Sequence, residues 1–236
     1  MGAIKREERI GSQRLILGDC LEVMKELGRF DAVVTDPPYG ISWTRGINRA
    51  RGSKAHKGIL NDQNTEVRDY ALSIFGNGPA VVFGSFYAKF PDNIKQICVW
   101  QKPPDSGLVG SVTGFRRDAE PIFLCGEWPK RNCERSSIFR TTQGQSGIVS
   151  ETGHPHTKPV SLMIEIISMI SGKILDPFMG SGTTLVACQR MGRQGTGIEL
   201  DPEYFDIACR RVEEATRQPD MFIAAPEPVY KQEGLF

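Results

Sequence analysis

The sequence predicts an α/β protein: a mostly parallel sheet with helices on both faces. Three observations carry this. Short apolar runs of strand length alternate with longer segments of helical character along most of the chain. Two of those runs end in turns dense in proline or glycine, and each of these turns begins with an aspartate. The 236 residues are enough for one such domain with a sizeable core.

The elements follow in order. Arg14–Leu17 reads as a strand ending in Gly18-Asp19-Cys20, with a short helix over Leu21–Leu27. Asp31–Thr35 is an apolar strand that runs into Asp36-Pro37-Pro38-Tyr39. Thr65–Phe75 reads as a helix, and Ala80–Phe83 and Ile97–Gln101 as strands. Lys102–Ser150 is rich in Gly, Pro, Ser and Arg, with one clear strand at Pro121–Leu124. It reads as loops and a small variable lobe. Pro159–Ile170 is a strongly apolar helix. Lys173–Leu175 is a strand leading into Asp176-Pro177-Phe178-Met179-Gly180-Ser181-Gly182-Thr183-Thr184. The helix Thr184–Met191, the strand Gly195–Ile198 and the helix Pro202–Thr216 complete the pattern, with Pro202 suited to a first helical turn. The domain is expected over residues 11–216, followed by a loosely held tail over 217–236.

Composition narrows the classes. No apolar run approaches the roughly 18 residues of a membrane span. The charged stretch Met1–Ile10 lacks the apolar core of a signal peptide. The expectation is a cytoplasmic protein with no membrane contact. The six cysteines form no C-x-x-C pair and no zinc-like cluster, so they read as reduced, buried thiols with no metal site. The net charge of +1 does not by itself suggest nucleic acid. Its distribution says more: residues 41–61 hold Arg45, Arg49, Arg51, Lys54 and Lys57 with no acidic residue. Such a loop can track phosphates, although charge alone favours a solvated insertion.

Two constellations carry chemistry. In Asp176–Thr184 a buried strand enters a glycine-rich turn, and Gly180 and Gly182 let the backbone turn tightly and approach a ligand. Glu199 ends the next strand, where a carboxylate can accept ribose hydroxyls. The spacing fits neither a dinucleotide fingerprint nor a P-loop. The second constellation is Asp36-Pro37-Pro38-Tyr39, also at a strand's C-terminal end. An exocyclic base amine is a poor nucleophile because its lone pair is delocalised into the ring. Asp36 and the Pro37 carbonyl can accept its N–H groups and draw the lone pair out. Pro37 and Pro38 stiffen the turn, and Tyr39 offers a face for an extruded base.

These residues resemble the β-class of DNA amino-methyltransferases, in which the catalytic motif precedes the cofactor motif. Gly18-Asp19-Cys20 is similar to the family segment that contacts the cofactor's adenine. His154-Pro155-His156-Thr157-Lys158-Pro159 is similar to a His-Pro-x-x-Lys-Pro segment near the methionine end of the cofactor. The resemblance spans about Leu15 to Arg211. It implies a class I, Rossmann-like sheet of seven mostly parallel strands, circularly permuted so that Arg14–Leu17 lies beside Gly195–Ile198.

The same resemblance implies S-adenosylmethionine as cofactor. Asp19, Cys20, Asp36 and Lys158 would lie around it, together with Asp176, Pro177, Phe178, Gly180, Ser181, Gly182 and Thr183 of the turn and Glu199 and Leu200 of the next strand end. It implies double-stranded DNA as partner, with the target base flipped out, and residues 102–150 as the target-recognition lobe. There Arg116 and Arg117, with Lys130, Arg131, Arg135 and Arg140, are candidate DNA contacts. Aspartate at position 36 points to adenine N6. Cytosine N4 is the alternative, followed by an RNA or protein-glutamine methyltransferase and by a non-catalytic DNA- or clamp-binding protein of this fold. The tail Gln232-Glu233-Gly234-Leu235-Phe236 resembles peptides that dock on the bacterial sliding clamp, and Gln218–Phe222 is a partial second match. A homodimer is also compatible with the sequence.

Overall fold

The computed structural model of the chain describes residues 2–40, 63–103, 114–130, 135–141 and 157–217. The basic loop with Arg45, Arg49, Arg51, Lys54 and Lys57 lies outside the described residues. So do Arg131, the histidines His154 and His156, and both tail motifs.

Among the described residues, nine strands form one sheet in the order β1-β2-β9-β8-β3-β4-β6-β5-β7. They are β1 (Ile4–Ile10), β2 (Gln13–Gly18), β3 (Ala32–Thr35), β4 (Ala80–Phe83), β5 (Ile94–Gln101), β6 (Ala119–Cys125), β7 (Ile138–Arg140), β8 (Ile174–Asp176) and β9 (Gly195–Glu199). The five strands from β2 to β4 in that order are mutually parallel. Strand β6 runs antiparallel to both β4 and β5. Without its two edge strands the sheet is the expected seven-stranded one. The expected permuted pairing is present: Arg14 to Leu17 face Thr196 to Glu199 in parallel register.

Among the described residues, five helices cover the sheet: α1 (Cys20–Glu26), α2 (Glu66–Phe75), α3 (Val160–Ile167), α4 (Thr183–Arg190) and α5 (Pro202–Arg217). Both faces of the central strands are buried, so β3 and β4 are apolar without alternation in type. Alternation in direction remains. Val33 and Val82 join Val23 and Met24 of α1 and Ala71 of α2 on one face. Val34, Val81 and Phe83 join Leu162, Met163, Ile166 and Ile167 of α3 on the other. Leu15 and Leu17 of β2 meet Phe205, Ala208 and Val212 of α5.

Two elements differ from expectation. Ile4–Ile10 lies ahead of the expected domain start at residue 11, yet it is an antiparallel edge strand along β2. Its charges conceal it in the sequence but suit an edge: Glu7 pairs with Arg14 at 2.8 Å, and Arg6 reaches Asp206 of α5 at 2.8 Å. The stretch 102–150 was expected to be a lobe with a single strand. Its described parts supply β6, which lies inside the sheet between β4 and β5, and β7, which extends it beside β5. All five cysteines among the described residues are buried and none is in a disulfide. No helix among them is long and apolar enough to cross a membrane.

Helix α3 seals one face of the sheet and follows directly on Lys158 and Pro159. Ile166 is fully buried there. Ile166→Ala should therefore cost about 2–5 kcal/mol in urea unfolding. A loss below about 0.5 kcal/mol would show that α3 does not seal this face.

Candidate active site

The acidic turn and the glycine-rich turn leave the C-terminal ends of β3 and β8, which are parallel neighbours. Open α/β sheets bind ligands at that edge. The two turns are also joined directly. Thr35, the last residue of β3, donates its hydroxyl to Asp176 Oδ1 at 2.7 Å. Asp176 Oδ2 accepts the Thr184 hydroxyl at 2.5 Å, and Oδ1 accepts the Phe178 N–H at 3.1 Å. Asp176 thus braces β3, the turn and α4. Burial pushes its carboxyl up to about 6 even against these three donors.

In the turn itself, Gly180 and Gly182 have φ of +52° and +80°. Only glycine adopts this backbone without strain. They serve different ends. A Cβ on Gly182 would lie 2.8 Å from the Ala208 Cβ of α5, so close packing requires that glycine. A Cβ on Gly180 would meet nothing within 4 Å, so the backbone there borders open space. Arg211 of α5 holds the turn from below, donating to the Ser181 carbonyl at 2.6 Å and to the Ser181 and Thr183 hydroxyls at 3.0 Å. The Thr157 and Ser181 hydroxyls are 3.2 Å apart.

Glu199 ends β9 beside this turn. Its Oε2 accepts the Gly180 N–H at 2.9 Å, and its Oε1 accepts the N–H groups of Leu200 and Asp201 at 2.9 and 2.8 Å. Burial raises its carboxyl to about 7 in spite of these bonds. A carboxylate has about four lone-pair sites, so three donors leave room for a ligand hydroxyl. Asp19 follows β2, the neighbour of β9, and its Oδ1 caps α1 through the Leu21 N–H at 2.9 Å. Cys20 is buried in the first turn of that helix. Pro177 and Thr183 are buried, while Phe178 and Leu200 are partly exposed. Open space over Gly180, a carboxylate with spare capacity and the nearby Asp19 fit an adenosine-bearing cofactor.

On the other side of Asp176, the acidic turn meets a buried cluster. Lys158 and Glu120 are each only 7% exposed. The Lys158 ammonium donates to Asp36 Oδ2 at 2.7 Å, to Glu120 Oε1 at 2.8 Å and to the Tyr39 hydroxyl oxygen at 3.1 Å, which uses all three of its protons. It also lies 5.0 Å from the Phe83 ring centroid, 5.6 Å from that of Tyr39 and 5.9 Å from that of Trp100. Lys102 pairs with Glu120 Oε2 at 2.8 Å. Burial works to raise the Glu120 carboxyl, but Lys158 and Lys102 overcome it and hold the group at about 2. Burial works to lower the Lys158 ammonium, and Asp36 and Glu120 outweigh it and raise the group. Two cations and two anions leave the cluster electrically neutral.

Glu120, Lys102, Thr35 and Arg211 are not among the site residues that the sequence predicts. Glu120 carried a usable signal, being the one charged residue in the otherwise apolar run Ala119–Cys125. Of the expected DNA contacts, Arg116 pairs with Asp118 at 3.0 Å. The Arg117 guanidinium lies 4.8 Å from the centroid of the largely exposed Tyr87 ring. Arg135 donates to the Ser168 hydroxyl and Arg140 to the Gln101 side chain. No group of three or more metal-binding side chains occurs among the described residues.

Strand order and paired turns define the class: a permuted, Rossmann-like methyltransferase fold with its site on one sheet edge. The chain belongs to the N6/N4 family of DNA methylases, whose model, described as DNA methylase, matches residues 30–210. It is similar to the type II methyltransferase M.HinfI of Haemophilus influenzae, with 26% identity over 87% of this chain and 70% of that protein. Similarity to M.HpaI of Haemophilus parainfluenzae is 23% over 85% of this chain and 74% of that protein. Identity to M.ScaI of Streptomyces caespitosus reaches 40%, but over 31% of this chain and 25% of that protein. Among solved structures, the fold matches the M1.HpyAVI–S-adenosylmethionine complex with a TM-score of 0.59 at 23% identity, covering 85% of this chain and 98% of that one. It matches the cytosine-N4-specific PvuII DNA methyltransferase with a TM-score of 0.60 at 17% identity, covering 90% of this chain and 94% of that one.

The two glycines should separate on substitution. Gly182→Ala should lower stability by about 1–3 kcal/mol, because overpacking against Ala208 adds to backbone strain. Gly180→Ala should fold with a loss of about 1–2 kcal/mol from strain alone yet weaken S-adenosylmethionine binding at least about tenfold in calorimetry. Equal cofactor affinity in Gly180→Ala would place the ligand elsewhere.

The carboxyls also set a pH optimum for stability. Asp176 and Glu199 hold their protons more tightly folded than unfolded, so they add stability as pH falls through about 7 and 6. Glu120 is the opposite case, and its contribution is lost as pH falls below about 4 toward 2. The melting temperature of the cofactor-free protein should rise from pH 8 to about pH 5.5 and then fall below about pH 4. A steady decline from pH 8 downward would contradict the raised carboxyls.

Proposed function

We propose that the protein transfers a methyl group from S-adenosylmethionine to the exocyclic N6 of adenine in duplex DNA, with the target base flipped out of the helix. The observation that carries this is the juxtaposition of Asp36-Pro37-Pro38-Tyr39 with the glycine-rich turn, held by the Thr35–Asp176 hydrogen bond. When bound, the cofactor supplies an electrophilic sulfonium methyl, which needs no metal.

The chain's residues do the rest. The turn Phe178–Gly182, open at Gly180, would hold the cofactor, with Glu199 accepting a ribose hydroxyl and Asp19 the adenine amine. Asp36 and the Pro37 carbonyl accept the two N–H groups of the target amine, which turns its lone pair toward the methyl. Tyr39 stacks on the flipped base, offsetting part of the few kcal/mol that unstacking costs. The rate enhancement comes from positioning and from acceptors already in place. Arg117, stacked on Tyr87, and the basic residues Arg45–Lys57 supply phosphate contacts in this reading.

Adenine is favoured by the carboxylate at position 36. The fold similarity to a cytosine-N4-specific enzyme keeps cytosine as the second reading. The relatives named as type II methyltransferases favour a role in restriction–modification.

Asp36→Ala should bind S-adenosylmethionine with near-wild-type affinity and transfer at least about 100-fold less methyl to DNA. Wild-type-like transfer by that variant would sink the proposal. Mass spectrometry of the modified base decides adenine against cytosine, and a product confined to RNA or protein would reject DNA as substrate.

A further inference from the structure

The Tyr39 hydroxyl carries one proton and has two carboxylates within reach. Asp36 Oδ1 lies at 2.6 Å and Glu120 Oε1 at 2.8 Å. The hydroxyl oxygen also accepts from Lys158 at 3.1 Å, so the tyrosine's own proton goes to one carboxylate or the other. Burial, together with both carboxylates, holds this phenol well above its ordinary pKa, so the proton stays on it.

The two acceptors are unequal. Among the described residues, Glu120 is paired with Lys158 and Lys102, whereas Asp36 is paired with Lys158 alone. Asp36 is therefore the stronger acceptor, and its contact is the shorter. This arrangement weakens Asp36 as an acceptor for a base amine, because Tyr39 at Oδ1 and Lys158 at Oδ2 each take one of its lone pairs. A short O–H···O⁻ bond draws off the electron density that the base amine needs.

We infer that Tyr39 and Glu120 form a hydroxyl switch. The tyrosine proton rests on Asp36 until a base amine takes its place there and then turns to Glu120, which makes Glu120 a positioning residue for methyl transfer. The inference rests on the proposed amino-methyltransferase activity. No covalent bond is made or broken: the O–H turns about the ring-to-oxygen bond, and both acceptors are already within hydrogen-bond distance. The phenol keeps its proton, Lys158 keeps its three acceptors, and the cluster stays neutral. Asp36 exchanges a phenol donor for an amine donor, and Glu120 completes its shell. The switch explains an otherwise costly feature, a carboxylate buried beside the acidic turn.

A double-mutant cycle tests it. The assay follows tritiated S-adenosylmethionine and plasmid DNA from a methylation-deficient host, with kcat and KM measured separately. Glu120→Asp keeps both lysines balanced but withdraws the acceptor by one methylene. It should lower kcat about tenfold and leave cofactor affinity unchanged. In a Tyr39→Phe background, which keeps the ring and lacks the hydroxyl, the same change should lower kcat less than about threefold. Equal kcat penalties in the two backgrounds would overturn the switch and leave Glu120 as a packing residue. Complete loss of transfer in Tyr39→Phe would overturn it too, because the hydroxyl would then be needed in the transition state. If Glu120→Asp fails to fold, Glu120→Gln combined with Lys102→Met keeps the cluster neutral and leaves only a weaker, uncharged acceptor, and the same cycle is read with the same two outcomes. A wild-type protein that methylates no DNA refutes the activity itself, and that result is distinct from equal penalties in an active enzyme.

Discussion

An ammonium group buried among three aromatic rings needs an acceptor for each of its protons, because the desolvated charge is otherwise too costly to keep. Lys158 finds these in Asp36, Glu120 and the Tyr39 hydroxyl. The three come from separate parts of the fold. Asp36 and Tyr39 follow β3, Glu120 stands near the start of β6, and Lys158 precedes α3. The antiparallel course of β6 matters here. It brings the beginning of that strand to the edge where β3 and β4 end, and so delivers a carboxylate to the catalytic side. One lysine therefore ties the acidic turn to the sheet and to the helix that seals it.

The second constraint is the Thr35–Asp176 hydrogen bond. It joins residues 141 positions apart whose strands are direct neighbours in the sheet. The permutation works because the site depends on which strands pair, not on their order in the chain. Asp176 is buried and occupied by two threonine hydroxyls and a backbone N–H, so it holds the two turns in register. Gly180 borders open space, and Glu199 and Asp19 retain hydrogen-bonding capacity beside it.

Much of this was legible in the sequence. Ala80–Phe83 and the helix beginning at Pro202 lie where the apolar pattern puts them, and the pairing of β2 with β9 follows from the permuted motif order. Strand β1 was not legible: Ile4–Ile10 alternates charge with too few apolar residues, and only pairing with β2 and ion pairs to Arg14 and Asp206 make it a strand. Glu120 was hidden for a related reason. Its sequence neighbours describe an apolar strand, while its partners Lys102, Lys158 and Tyr39 lie 18, 38 and 81 residues away.

The sequence by itself determined the local chemistry. Prolines stiffen the turn after Asp36, glycines open the turn after Asp176, and apolar runs commit their strands to a sheet buried on both faces. These are properties of residues and their immediate neighbours. Only the tertiary structure decided which glycine packs and which borders open space. It also made Asp176 a brace and matched Asp36, Glu120, Lys102 and Lys158 as a neutral set. The physical reason is that burial and charge pairing depend on distances across the sheet, and the linear order of the chain does not contain them.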